Sequence, residues 1–119
     1  MKKTVAVFGS ATINPETPGY EKAVEVGRII GRTGFDLICG GYGGVMEAVA
    51  RGCREEGGHC RGIGLERFSP TPNQYIHRFE RTRALGERLD YFDRNADIFL
   101  GLRGGIGTVT EIMFFWDQA

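Results

Sequence analysis

At 119 residues, with fifteen lysines and arginines against fifteen aspartates and glutamates, the chain has the length of one small domain and no global field to gather nucleic acid or an anionic membrane. Any anion it binds must be held locally. Its nineteen glycines, roughly twice the average share, gather at positions 40–44, 57–64 and 101–107, as specialised tight loops require.

The opening "MKKTVAVFGSATINP" has too short an apolar run for a signal-peptide core or a membrane span, so a cytoplasmic protein is expected. "TVAVFG", Thr4 to Gly9, is a β-branched run that stops at glycine, and "DLICGG", Asp36 to Gly41, repeats the pattern. Between them Tyr20, Ala23, Val24, Gly27, Ile30 and Gly31 recur at three and four, which predicts a helix over about 19–33. Val45, Ala48, Val49, Gly52 and Cys53 mark a second helix, and "HCRGIG" a third strand.

Residues 66–74, with Pro70 and Pro72, read as an irregular loop, and "YIHRFER" reads equally as a strand or an extended lead-in. Leu85, Leu89, Phe92 and Ala96 predict a helix over about 84–95; "DIFLGL" follows as a buried strand, and Val109, Ile112, Met113 and Trp116 stripe a last helix. This alternation predicts a single α/β domain spanning 1–119, a three-layer Rossmann-like arrangement whose mostly parallel sheet is covered on both faces. The sequence ends after that last helix, so the sheet is expected to be short at its C-terminal side. Cys39, Cys53 and Cys60 lack paired spacing and sit in apolar runs, which predicts buried free thiols. His59 and His77 complete no metal pattern.

Both dense glycine clusters fall between a strand and a helix, where the loops of an open α/β sheet present backbone amides to ligands. In "CGGYGGVMEAVARG", Gly41, Gly43 and Gly44 let the backbone approach an anion at a helix N-terminus; Gly104, Gly105 and Gly107 do the same in "RGGIGTVTE". Neither matches GxxxxGK[ST] or GxGxxG, which argues against ATP hydrolysis and NAD binding. Thr108 to Glu111 fits a T-x-x-E capping box, yet a carboxylate beside a phosphate cradle also suits a sugar hydroxyl or an oxocarbenium-like carbon. Arg88 neighbours Ala84, Tyr91 and Asn95 rather than the Leu85–Leu89–Phe92 stripe, so spacing favours a solvated surface arginine. Arg81 and Arg83 suit an anion as well as Arg88 does.

Together "VAVFGS", "GGYGGVMEAVARG" and "GERLDYFDRNADIFLGLRGGIGTVTEI" resemble the LOG ("lonely guy") family of cytokinin-activating phosphoribohydrolases in the Rossmann-like SLOG superfamily, often labelled lysine decarboxylase-like. The family's PGGxGTxxE motif is matched from Gly104 to Glu111, with Arg103 in the proline's place; GGGxxGxM is matched more loosely from Cys39 to Met46, with cysteine for the first glycine. The family's "ER" arginine corresponds to Arg88, nine residues before Asp97. The resemblance implies a dimer without metal or organic cofactor that hydrolyses the N-glycosidic bond of a nucleoside 5′-monophosphate, AMP or an N6-modified AMP. It implies Arg88 and Glu111 as catalytic residues and Ser10, Gly41, Gly43, Gly44, Met46, Gly104, Gly105, Gly107 and Thr108 as nucleotide contacts. Family members continue several tens of residues further.

The decarboxylase label fails on the residues: a pyridoxal phosphate enzyme needs a Schiff-base lysine, and the chain has only Lys2, Lys3 and Lys22. The rival reading is a nucleotide or molybdenum-cofactor carrier on the same scaffold. Phe114, Phe115 and Trp116 take successive helical directions, so one must face away from its own sheet, which suits a second subunit.

Overall fold

The computed structural model describes residues 3–9, 18–66 and 71–102. Their elements run β1 (Thr4–Phe8), α1 (Pro18–Arg32), β2 (Asp36–Cys39), α2 (Val45–Glu55), β3 (Cys60–Leu65), β4 (Arg78–Thr82), α3 (Leu85–Asn95) and β5 (Ile98–Gly101). The strands form one sheet in the order β4-β3-β2-β1-β5, and every pairing is parallel. The predicted Rossmann-like α/β class is therefore the observed one. Residues 75–81, left between two readings, divide: 78–82 are strand and 75–77 its lead-in.

The order dictates which face each helix covers. The chain steps from β1 to β2 to β3 in one direction, so right-handed crossovers put α1 and α2 on the same face. From β4 it returns across the sheet to β5, and α3 must cover the opposite face. The two cores follow suit: Val5, Val7, Leu37 and Cys60 pack with α1 and α2, whereas Ala6, Phe8, Ile38 and Ile63 pack with Leu89 and Phe92 of α3. Asp97 locks the return strand in place, its carboxylate accepting the Thr4 amide at 2.9 Å and its own amide donating to the Thr4 carbonyl at 2.8 Å.

The α1 stripe read from the sequence is the buried set observed: Tyr20, Ala23, Val24, Gly27, Ile30 and Gly31. Two of its contacts explain glycine inside helices. A Cβ on Gly27 would strike the Val49 carbonyl, and one on Gly52 would strike the Val24 carbonyl, so α1 and α2 cross backbone to backbone. Ion pairs of Arg28 with Glu25 and Glu55, and of Arg32 with Glu56, line the outside of this crossing.

The α3 stripe departs from expectation. Leu89 and Phe92 are buried, but Leu85 is 43% exposed, and Arg88 takes the third buried position instead. Because β3 passes to β4 without a helix among the described residues, Tyr42 and Phe79 cover that part of the α1–α2 face. Their rings meet edge to face at 5.8 Å, and the Tyr42 hydroxyl lies directly over Gly64.

Candidate functional site

The first glycine loop leaves β2 at Cys39 and enters α2 at Val45. Gly41 has φ 84°, and Gly44, which caps α2, has φ 69° and ψ −133°, conformations a side chain would strain. The Gly44 carbonyl opens α2 by accepting the Ala48 amide at 3.1 Å. Gly41 lies flat on the sheet: a Cβ there would come within 2.9 Å of the Phe79 ring and 3.2 Å of Gly62 Cα. These constraints place the start of α2, with its positive dipole end, at the carboxyl edge of the sheet.

Three groups meet over Gly40. A Cβ at that position would strike both the Met46 sulfur and an Arg88 guanidinium nitrogen, so Met46, Arg88 and the loop share one spot although Arg88 lies more than forty residues along the chain. The expectation of a solvated Arg88 is overturned: the residue is 9% exposed. Its Nε donates to the Ile63 carbonyl at 2.8 Å, and its guanidinium lies 5.5 Å from the centroid of the Phe92 ring. Helical spacing misled because the stem of an arginine can fill an apolar position while its head turns toward a polar one. Arg81 and Arg83, equal candidates on spacing, are both exposed, and Arg83 lies 4.0 Å from Glu66.

Cys39 stands where the related motif has a glycine. It ends β2 with its thiol fully buried, donating to the Met46 carbonyl at 3.9 Å, and burial pushes its pKa up to about 11 despite the nearby Arg88 charge. A neutral thiol in the α2 face takes the glycine's place and lies against the Gly41 backbone, whose hydrogen bond opposes the upward shift. Gly43 is half-buried within the loop.

Asn73, within the segment expected to be an irregular loop, holds the glycine loop from the other side. Its amide donates to the Gly41 carbonyl and its Nδ2 to the Tyr42 carbonyl, each at 2.7 Å, while its Oδ1 accepts the Tyr75 amide at 3.0 Å. An asparagine among prolines signals a turn, but its reach of 31 residues to Tyr42 leaves no local trace.

Ser10, Gly104, Gly105, Gly107, Thr108 and Glu111 lie outside the described residues, as does the expected last helix with Phe114, Phe115 and Trp116. β2, from which the first glycine loop leaves, lies next to β1, and β1 next to β5, so the carboxyl ends of the three strands share the sheet edge at which open α/β sheets bind ligands. Elsewhere, a hollow lined by Arg51, Arg54, Gln74 and Tyr75 lies by the far end of α2; its arginines are engaged with Glu55 and the Gln74 carbonyl. Among the described residues no group of three or more His, Cys, Asp or Glu is placed to hold a metal, and no helix is long and apolar enough to cross a membrane.

A buried guanidinium beside a glycine loop and a helix N-terminus is suited to an anion. Comparison with known proteins sharpens this. An uncharacterised protein of Archaeoglobus fulgidus is 34% identical over 91% of this chain and 70% of its own length. A protein of Mycobacterium marinum named cytokinin riboside 5′-monophosphate phosphoribohydrolase is 30% identical over 97% of this chain; the chain spans 63% of that relative's length. The structure of a molybdenum cofactor binding protein from Rippkaea orientalis superposes with a TM-score of 0.87 at 22% identity, covering 99% of this chain and 72% of the other, which establishes the shared fold. The SLOG cluster4 family model matches residues 2–119, and the chain belongs to that family.

Proposed function

We propose that the chain takes part in hydrolysis of the N-glycosidic bond of a nucleoside 5′-monophosphate, AMP or an N6-modified AMP, releasing the free base and ribose 5-phosphate. The observation that carries the reading is the burial of Arg88 against Gly40 and Met46, which matches the position that the LOG resemblance gives a catalytic arginine. The similarity to the Mycobacterium marinum phosphoribohydrolase supports it.

In this reading the 5′-phosphate sits on the amides of Gly41, Gly43 and Gly44, with Ser10 and the segment of Gly104, Gly105, Gly107 and Thr108 as its further contacts. The N-terminal end of α2 adds its dipole. Arg88, its stem fixed by Ile63 and Phe92, positions the nucleotide and the departing base. As the bond to the base lengthens, positive charge grows on the anomeric carbon, and the Glu111 carboxylate stabilises it while binding the ribose hydroxyls. Water supplies the nucleophile, so the proposed reaction draws on no metal or organic cofactor. A homodimer in the cytoplasm completes the proposal.

Base release from AMP, N6-isopentenyl-AMP, GMP and CMP, followed by chromatography, tests it. Release from AMP or its N6-modified form is expected, and Glu111→Ala is expected to abolish release while calorimetry still detects nucleotide binding. Nucleotide binding without release from any of the four would replace the hydrolase with the carrier reading, which the fold shared with the Rippkaea orientalis protein also accommodates.

A further inference from the structure

We infer that Asn73 is a positioning residue that aims the amides of Tyr42 and Gly43 at the phosphate of the ligand; the inference rests on the nucleotide reading above. It follows from peptide geometry. In a trans peptide the carbonyl and the following N–H point in opposite directions, and none of the described peptide bonds is cis. Asn73 draws the Gly41 carbonyl with its backbone amide and the Tyr42 carbonyl with its side chain, both at 2.7 Å. The partner N–H groups of those two peptides belong to Tyr42 and Gly43, and they are turned away from the β3–β4 connection that carries Asn73.

Two further contacts keep this orientation from relaxing. Beneath the loop, Phe79 and Gly62 pack closely against Gly41, which holds the start of the loop on the sheet. Behind it, the Tyr75 amide donates to Asn73 Oδ1, which sets the side chain so that Nδ2 faces Tyr42. Successive amides with a common direction form an anion-binding concavity. A side chain that reaches neither ligand nor reacting atoms thereby decides whether the first glycine loop is a phosphate cradle or a plain turn.

Amide NMR of the 15N-labelled chain tests the inference, with inorganic phosphate and then AMP as probes. The Tyr42 and Gly43 signals are expected to shift saturably with both. Asn73→Asp keeps the acceptor for Tyr75 but loses the donor to Tyr42, and Asn73→Ala loses both; sharing only the missing donor, the two variants are expected to weaken phosphate binding at least tenfold. In base release from AMP they are expected to raise KM about tenfold with kcat within about twofold, whereas simple loss of folded protein would lower the apparent kcat and leave KM alone. Tyr42 and Gly43 signals that stay still while the wild type binds phosphate elsewhere would overturn the inference, as would variants that bind phosphate like the wild type. If the variants do not fold, the wild-type titration decides alone. Shifts at Tyr42 and Gly43 without any base release would sink the hydrolase and leave the role of Asn73 standing; absence of both phosphate and AMP binding would sink both.

Discussion

Arg88 Nε and the Ile63 carbonyl oxygen, 2.8 Å apart in a buried setting, tie α3 to β3 beneath the first glycine loop. Arg88→Ala removes a charged donor and strands that carbonyl, which costs about 1–3 kcal/mol of stability. Base release from AMP should fall about 100-fold or more, the scale of losing one placed electrostatic group. Arg88→Lys keeps the charge without the planar fork and should recover only part of the activity. Thermal melts and chromatography of the two variants separate the stability loss from the catalytic one.

Gly52→Ala should damage stability on a similar scale although it lies at the α1–α2 crossing rather than over the glycine loop. The added methyl group meets the Val24 carbonyl on α1, where backbone rather than a flexible side chain must give way. Overpacking of this kind costs about 1–3 kcal/mol, and each 1 kcal/mol lowers the melting temperature by several degrees in a chain of this size. A melting temperature like that of the wild type would contradict the observed crossing.

The fold was legible where burial imposes a period. The apolar stripe of α1 and the short runs of β1 and β2 follow directly from the need to cover a sheet on both faces, and glycine marks the carboxyl end of each run. β4 was legible only as one of two readings, because as an edge strand it has the polar sequence "RFERT" and no apolar run. The glycine loop could be located from its composition, whereas its shape depends on Asn73, a partner that only the folded chain brings near. Arg88 was concealed by its own polarity: no spacing rule separates an arginine on a solvated face from one whose head reaches back to a loop.

Acid should weaken the edge of the sheet opposite the glycine loop. His77 Nδ1 accepts the Cys60 amide at 3.1 Å, and its ring stacks on His59 with centroids 4.9 Å apart. Partial desolvation of the ring first, then the charges of His59 and Arg54, hold the His77 pKa below its usual 6.5. The unfolded chain therefore binds more protons than the folded one near and below pH 6.5; this contribution is complete above that range and is lost as the pH falls through it toward the lower folded value. His77→Gln should flatten the decline in melting temperature between about pH 7.5 and pH 5. A wild-type and variant difference that does not change with pH would refute the assignment.

All three cysteines are free and buried. A thiol attacks as the thiolate, and Cys39 is both enclosed and shifted up to about 11. An aromatic disulfide reagent at about pH 8 should label the native chain only as fast as it opens, and should label every thiol within seconds in denaturant. Rapid labelling of the native chain would contradict the observed enclosure.

β1 carries a consequence for how the chain tolerates insertions. All five of its residues are buried, with Val5 and Val7 in one core and Ala6 and Phe8 in the other. Phe8 meets Phe92 edge to face at 5.1 Å, whereas Val5 and Val7 pack in the core under α1 and α2. Losing or gaining one residue within 5–8 would exchange the contents of the two cores at once. The strand thus acts as the reading frame of the molecule: side chains within it can be traded one at a time, but their parity cannot be shifted.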